Sequence, residues 1–165
     1  MNPQPHIILG WPDKNLKALC EALGIALHEY EADRDLMLLR GPAIVEGMLR
    51  TIIENTDFTI HKANVVMVGY GTIGELAGRL AATDILISSV PSQIVTRAML
   101  AALPKHALLV DLAAPPGGID REGAEALGLR FVWARGLGSR APVTVGRSQW
   151  TGIRPRIEKI FANRD

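Results

Sequence analysis

The sequence predicts an α/β protein built on a largely parallel sheet, and three observations carry that prediction. Short apolar runs alternate along the chain with segments whose apolar residues recur at helical spacing. One such run, Val65-Val66-Met67-Val68, leads straight into Gly69-Tyr70-Gly71-Thr72-Ile73-Gly74. Asp84 to Val90 is the next apolar run, and Ala107 to Leu112 is a continuous apolar stretch without alternation, the pattern of a buried strand.

In chain order, Ile7 to Leu9 reads as a short strand. Asp13 is placed to cap a helix whose stripe is Leu16, Leu19, Cys20 and Leu23, stopped by Gly24. A second strand is expected near Ile25 to Tyr30 and a third at Leu36 to Leu39. Pro42 is expected to open a helix carrying the pairs Ile44/Val45, Met48/Leu49 and Ile52/Ile53. The glycine-rich turn should enter a short helix from Thr72 to Ala82, followed by the strand at 84–90. Ser92 to Leu103 reads as a helix capped by Ser92, and 107–112 as a buried strand. Ala113 to Gly118 is a loop, Arg121 to Leu127 a short helix ended by Gly128, and Phe131 to Trp133 a strand. Trp150, Ile153, Ile157, Ile160 and Phe161 form a final helical stripe, which Pro155 should kink or begin.

Composition narrows the function. A chain of 165 residues suits one domain, or one domain with a small appendage. Eighteen basic against 17 acidic residues give no bias toward nucleic acid or an anionic membrane. Cys20 is the lone cysteine, which leaves no internal disulfide or cysteine metal site and fits a reducing, cytoplasmic setting. No apolar run approaches the ~20 residues of a membrane helix, and the amino terminus lacks the pattern of a signal peptide. His6, His28 and His106 read as surface or turn residues, His106 opening a strand. No histidine lies in a metal-binding pattern, so no metal is expected.

The glycine-rich turn carries the chemistry. After a strand and before a helix, Gly69 permits the tight turn, Gly71 lets backbone approach a pyrophosphate, and Gly74 allows close helix–strand packing. The N–H groups of Tyr70, Thr72 and Ile73 belong to the same anion cradle. The cofactor expected is NADP or NAD. An acidic residue about 20 positions on should hold the ribose. Asp84 lies only ten residues past Gly74 and precedes its strand, so it cannot serve and any affinity should be weak. Val90, Pro91 and Asp111 fall at the carboxyl ends of neighbouring strands, where open α/β sheets bind ligands. Asp111 either orients a ligand or caps the Ala113–Gly118 loop. Arg135 and Arg140 are either a fork for a carboxylate or solvated loop residues. Thr56 and Asp57, with Thr59 and His61, are either a substrate-side cluster or helix-end hydrogen-bonding groups.

Several runs resemble the A subunit of bacterial dipicolinate synthases. They are Pro42–Gly47, Glu54-Asn-Thr-Asp-Phe-Thr-Ile-His61, Val68–Gly74, Asp84–Ser92, Asp111-Leu-Ala-Ala-Pro-Pro-Gly-Gly118 and Gly136–Thr144, in the family's order. The resemblance implies NAD(P)-dependent oxidation of a dihydrodipicolinate-type precursor, a small diacid substrate and, for partner, a flavoprotein-like B subunit. It also implies that most of an N-terminal domain and the second and third Rossmann strands, with the ribose loop, are missing. What is left is a strand–helix–strand remnant at 1–41, a linking helix at 42–61 and a reduced Rossmann-like domain at 62–165. The family usually has a polar or basic residue where Pro115 stands. In the order 3-2-1-4-5-6 the first and fourth strands are neighbours, so the deletion should leave a contiguous sheet. It should also expose an edge and apolar surface, which points to a homo-oligomer. Two other readings stand beside this one: a non-catalytic binding or assembly protein, and a dehydrogenase of the hydroxyacid or adenosylhomocysteinase kind, whose histidine–carboxylate pair is not apparent.

Overall fold

The computed structural model describes residues 4–69 and 78–162. The chain divides into two compact units, residues 1–45 with 138–165, and residues 46–137.

In the first unit, strands β1 (His6–Leu9) and β2 (Ala26–Glu29) pair in parallel, with helix α1 (Lys14–Ala22) between them. Asp13 caps α1 as expected, its Oδ1 accepting the Leu16 N–H at 2.8 Å. Residues 36–39 correct the sequence reading: they are not a strand but part of helix α2 (Arg34–Glu54). Four apolar residues fit either element. Asp33 decides the matter, because its Oδ1 accepts the Asp35 N–H at 3.0 Å and its carbonyl accepts the Met37 N–H at 3.3 Å. Leu36 then faces inward while Met37, Leu38 and Leu39 are exposed. Pro42 therefore lies inside α2 instead of opening it, at the loss of one helical hydrogen bond.

The last helix, α5 (Pro142–Ala162), starts at a proline, where the missing N–H costs nothing, and passes through Pro155. Pro155 is thus not its start. Gly152 lets this helix close on Leu36 and Tyr30, and Arg156 Nε donates to the Glu29 carbonyl at 2.9 Å. Glu31, 7% exposed, holds the Arg40 guanidinium with both carboxylate oxygens.

The second unit carries a four-stranded parallel sheet in the order β3 (Val65–Val68), β4 (Ile85–Ser88), β5 (Leu108–Asp111), β6 (Arg130–Trp133). The segment 85–88 pairs directly with 65–68, as the deletion argument requires. Helices α3 (Arg97–Leu100) and α4 (Arg121–Ala126) lie in the connections, and the carboxyl-terminal part of α2 belongs to this unit. The helix expected at 72–82 lies largely outside the described residues; its end, Leu80–Ala82, is a single 3-10 turn. The helix expected at 92–103 shrinks to α3. Ile94 and Val95 donate their N–H groups to the Gly118 carbonyl at 3.0 and 2.9 Å, and Val95 bridges Ile119. These strand-like bonds hold 94–95 out of helical conformation, so Ser92 is not the cap.

Both faces of β4 and β5 are covered. Leu86 and Leu109 face one cluster with Val68, Leu80, Val95, Leu100 and Ile119. Ile85, Ile87, Leu108 and Val110 face the other, with Ile52 of α2. Each such side chain contributes about 1.5–3 kcal/mol by leaving water. Strand β3 differs: Val66 and Val68 pack on the first cluster, whereas Val65 and Met67 are 46% and 48% exposed.

Candidate functional site at the carboxyl rim of the sheet

The registers align Val68, Ser88, Asp111 and Trp133 in one row at the carboxyl ends of the four strands. Asp111 is the centre of this rim. It is 1% exposed, and its carboxylate accepts three backbone N–H groups: Ala113 at 3.0 Å, Gly118 at 2.7 Å and Ile119 at 3.0 Å. Trp133 Nε1 donates to the Ala113 carbonyl at 2.8 Å. The loop 113–118, which contains a cis Pro115–Pro116 bond, is thereby bound to β5 at both ends and to β6.

The glycines of this rim are needed for close approach. A Cβ on Gly117 (φ +84°) would lie 2.7 Å from Asp111 Oδ2. One on Gly118 would run into Ser88 Oγ and lie 2.7 Å from the Val90 carbonyl oxygen. Gly69 has φ +144°, a conformation that side chains disfavour, and a Cβ there would meet Ser89 Oγ with Val90 Cγ2 at 3.7 Å. The Ser89 N–H donates to the Val68 carbonyl at 3.0 Å. The glycine that ends β3, the Ser89–Pro91 loop after β4 and the 117–118 turn after β5 thus converge at one end of the sheet.

The amino end of the sheet holds a second constellation. The Asn64 N–H donates to Asp84 Oδ2 at 2.7 Å, and His106 Nε2 meets Asp84 Oδ1 at 2.8 Å. The Asn64 N–H, and after it His106, hold the Asp84 carboxyl below its ordinary value. These bonds tie together the starts of β3, β4 and β5. Two cavities open beside them, one of about 410 Å³ lined by Thr59, His61, Lys62 and Asp84 among others, the other of about 200 Å³ lined by Thr56, Asp57, Lys105 and Arg130 among others.

No family model matches the chain. A curated relative, the dipicolinate synthase A subunit of Bacillus subtilis, is 28% identical over 157 residues, covering 72% of this chain and 52% of the relative. The crystal structure of the dipicolinate synthase A subunit from Bacillus halodurans matches with a TM-score of 0.81 at 25% identity, covering 94% of this chain and 66% of that one. That of the Bacillus subtilis protein matches with a TM-score of 0.84 at 23% identity, covering 96% and 66%. In sequence and in fold the chain resembles the dipicolinate synthase A subunit. It spans about half the length of the curated relative it matches.

Against this likeness, the structure brings Gly69, Val90, Pro91 and Asp111 together at the carboxyl rim. Tyr70, Gly71, Thr72, Ile73 and Gly74 lie outside the described residues. Arg135 follows β6 at the same end and is exposed, whereas Arg140 closes the 3-10 turn Leu137–Arg140 in the other unit. Thr56 and Asp57 are not at the rim; they line the smaller amino-end cavity, and Thr56 Oγ1 donates to the Ile52 carbonyl at 2.9 Å, closing the end of α2. His106 precedes β5 and pairs with Asp84, a contact across 22 positions that no local pattern announces. Lys105 and Arg130 lack a sequence signal for the same reason. Among the described residues no cluster of three His, Cys, Asp or Glu could hold a metal ion, and no helix is long and apolar enough to cross a membrane.

Proposed function

We propose that the chain binds NADP or NAD at the carboxyl rim and serves in the oxidation of a dihydrodipicolinate-type precursor to dipicolinate. The observation that carries this reading is the Cβ-free end of β3 facing the Ser89–Pro91 loop of β4. That is the crevice in which α/β sheets of this order take a dinucleotide. The described half of the site fits the group: Gly69 has the backbone conformation of the turn, and nothing but glycine fits beside Ser89. Gly69 to Gly74 would hold the pyrophosphate with backbone N–H groups, and Val90 and Pro91 would wall the crevice. Asp111 fixes the neighbouring loop, and Arg135 would answer a carboxylate of a diacid. When bound, the nicotinamide supplies the hydride acceptor, while the protein binds, orients and neutralises charge. In the proposed reaction the precursor loses a hydride and a proton and its ring becomes aromatic.

The relative is one subunit of a synthase, which supports a second subunit for this chain too; a flavoprotein-like B subunit is the partner proposed. Exposed Val65 and Met67 on β3, with Leu49 and Ile53 on α2, support self-association as well. The test is to supply the purified chain with the precursor and either cofactor, with and without a B-type subunit. Reduced nicotinamide and dipicolinate should appear in equal amounts. Absence of both products in every combination would refute the reading.

A further inference from the structure

We propose that the amino end of the sheet in the second unit is a separate binding site for a small dianion, a dicarboxylate or a phosphate. The proposal is independent of the dinucleotide reading, since this site lies at the opposite ends of the strands from Gly69 and Asp111.

The cavity of about 200 Å³ is lined by residues from three separate segments. Thr56, Asp57 and Phe58 come from the segment that follows α2, Lys105 and His106 from the turn before β5, and Arg130 from the first position of β6. Two permanent cations therefore face one carboxylate across a volume suited to a compact ligand.

What holds the cations in place matters most. Lys105 Nζ donates to the Leu127 carbonyl at 2.7 Å, and Arg130 Nη1 donates to the Asn55 carbonyl at 2.6 Å. Both partners are neutral, so each side chain is positioned without its charge being cancelled. An ammonium has three N–H donors and a guanidinium five, and one from each is engaged in these bonds. His106 adds a third nitrogenous group, held by Asp84 on one side and stacked edge-on with Phe58 at 6.1 Å on the other. A carboxylate or phosphate oxygen accepting from both Lys105 and Arg130 would gain charge-assisted hydrogen bonds. Asp57 sets the limit: as the wall's carboxylate it repels any anion, and the attraction of the two cations has to outweigh that repulsion.

The experiment is calorimetric titration of the full chain with pyridine-2,6-dicarboxylate and, separately, with inorganic phosphate, at low and high salt. Saturable binding of either that K105Q and R130Q weaken supports the site, and the arm so weakened that binds more tightly identifies the anion. Lys105 is exposed and donates to the Leu127 carbonyl, and K105Q should weaken binding about tenfold, the equivalent of one charge-assisted hydrogen bond. R130Q should do the same and R130K should restore part of it. D57N should tighten binding. NADP titration should be unchanged in all four variants, which separates this site from the rim. Unfolding midpoints matching the parent chain would show that the variants fold. Absence of saturable binding in both arms, or binding indifferent to K105Q and R130Q together, would overturn the proposal.

Discussion

Replacing Asp111 tests the rim most sharply, because the sequence left its role open and the geometry gives it a measurable weight. Its carboxylate is 1% exposed and accepts the N–H groups of Ala113, Gly118 and Ile119 at 2.7–3.0 Å. In D111A all three donors lose their acceptor in a buried place. Each orphaned buried donor costs about 1–3 kcal/mol, and partial entry of water lowers the sum, giving about 3–5 kcal/mol for the variant. For a chain of this size that corresponds to a drop of roughly 10–20 °C in the unfolding midpoint. D111N keeps one acceptor oxygen, which can serve Gly118 and Ile119, but turns an amide N–H toward that of Ala113. Its cost should be about 1–3 kcal/mol, the loss of one bond and one clash of donors. Thermal and urea unfolding check both figures. Trp133 provides a local reporter, since its indole N–H is held by the Ala113 carbonyl: its fluorescence should shift to the red in D111A before global unfolding. Stability of D111A within about 1 kcal/mol of the parent chain would refute the argument, because buried donors left unpaired cannot be that cheap.

Three further outcomes follow from the same packing and hydrogen bonding. G118A should destabilise the chain by about 2–3 kcal/mol, because the added methyl would run into Ser88 Oγ and the Val90 carbonyl; denaturant unfolding measures it. Asp84 has its pKa lowered in the folded chain from 3.8 by the Asn64 N–H and His106, so its contribution is complete above 3.8 and is lost as pH falls through the folded value. D84N should therefore be less stable at neutral pH and show a flatter acid limb, read as unfolding midpoint against pH. Light scattering across a wide concentration range should show self-association, driven by the apolar surface at Val65, Met67, Leu49 and Ile53; M67E should reduce it.

The second unit was legible in the sequence for a physical reason. Strands covered on both faces must be continuously apolar, so Ile85–Ile87 and Leu108–Val110 announced themselves, and their neighbour relation followed from the strand order alone. Errors fell where local pattern and tertiary bonding compete. Leu36–Leu39 carries no period that separates strand from helix, and the Asp33 turn decides it. Ile94 and Val95 sit on a helical stripe, yet the Gly118 carbonyl draws their N–H groups into a strand-like bridge. Pro42 read as a helix start and Pro155 as a kink or a start, although two helices of 21 residues run through them. At the site, the sequence placed Asp111 at the end of its strand, and it does end β5. That its carboxylate organises the loop depends on contacts seven and eight positions away. The amino-end constellation joins residues 20 or more positions apart, and no spacing rule could assemble it.

The central claim is that a chain spanning about half of its curated relative keeps a working dinucleotide crevice at the carboxyl end of β3. Calorimetric titration of NADP and NAD into the parent chain and into G71V tests it directly. The branched side chain would stand where a pyrophosphate must approach the backbone. The account predicts weak but saturable binding of one cofactor by the parent chain, and loss of that binding in G71V with the unfolding midpoint essentially preserved. Absence of binding by the parent chain, or equal binding by G71V, would contradict it and leave the glycine-rich segment as a turn without a ligand.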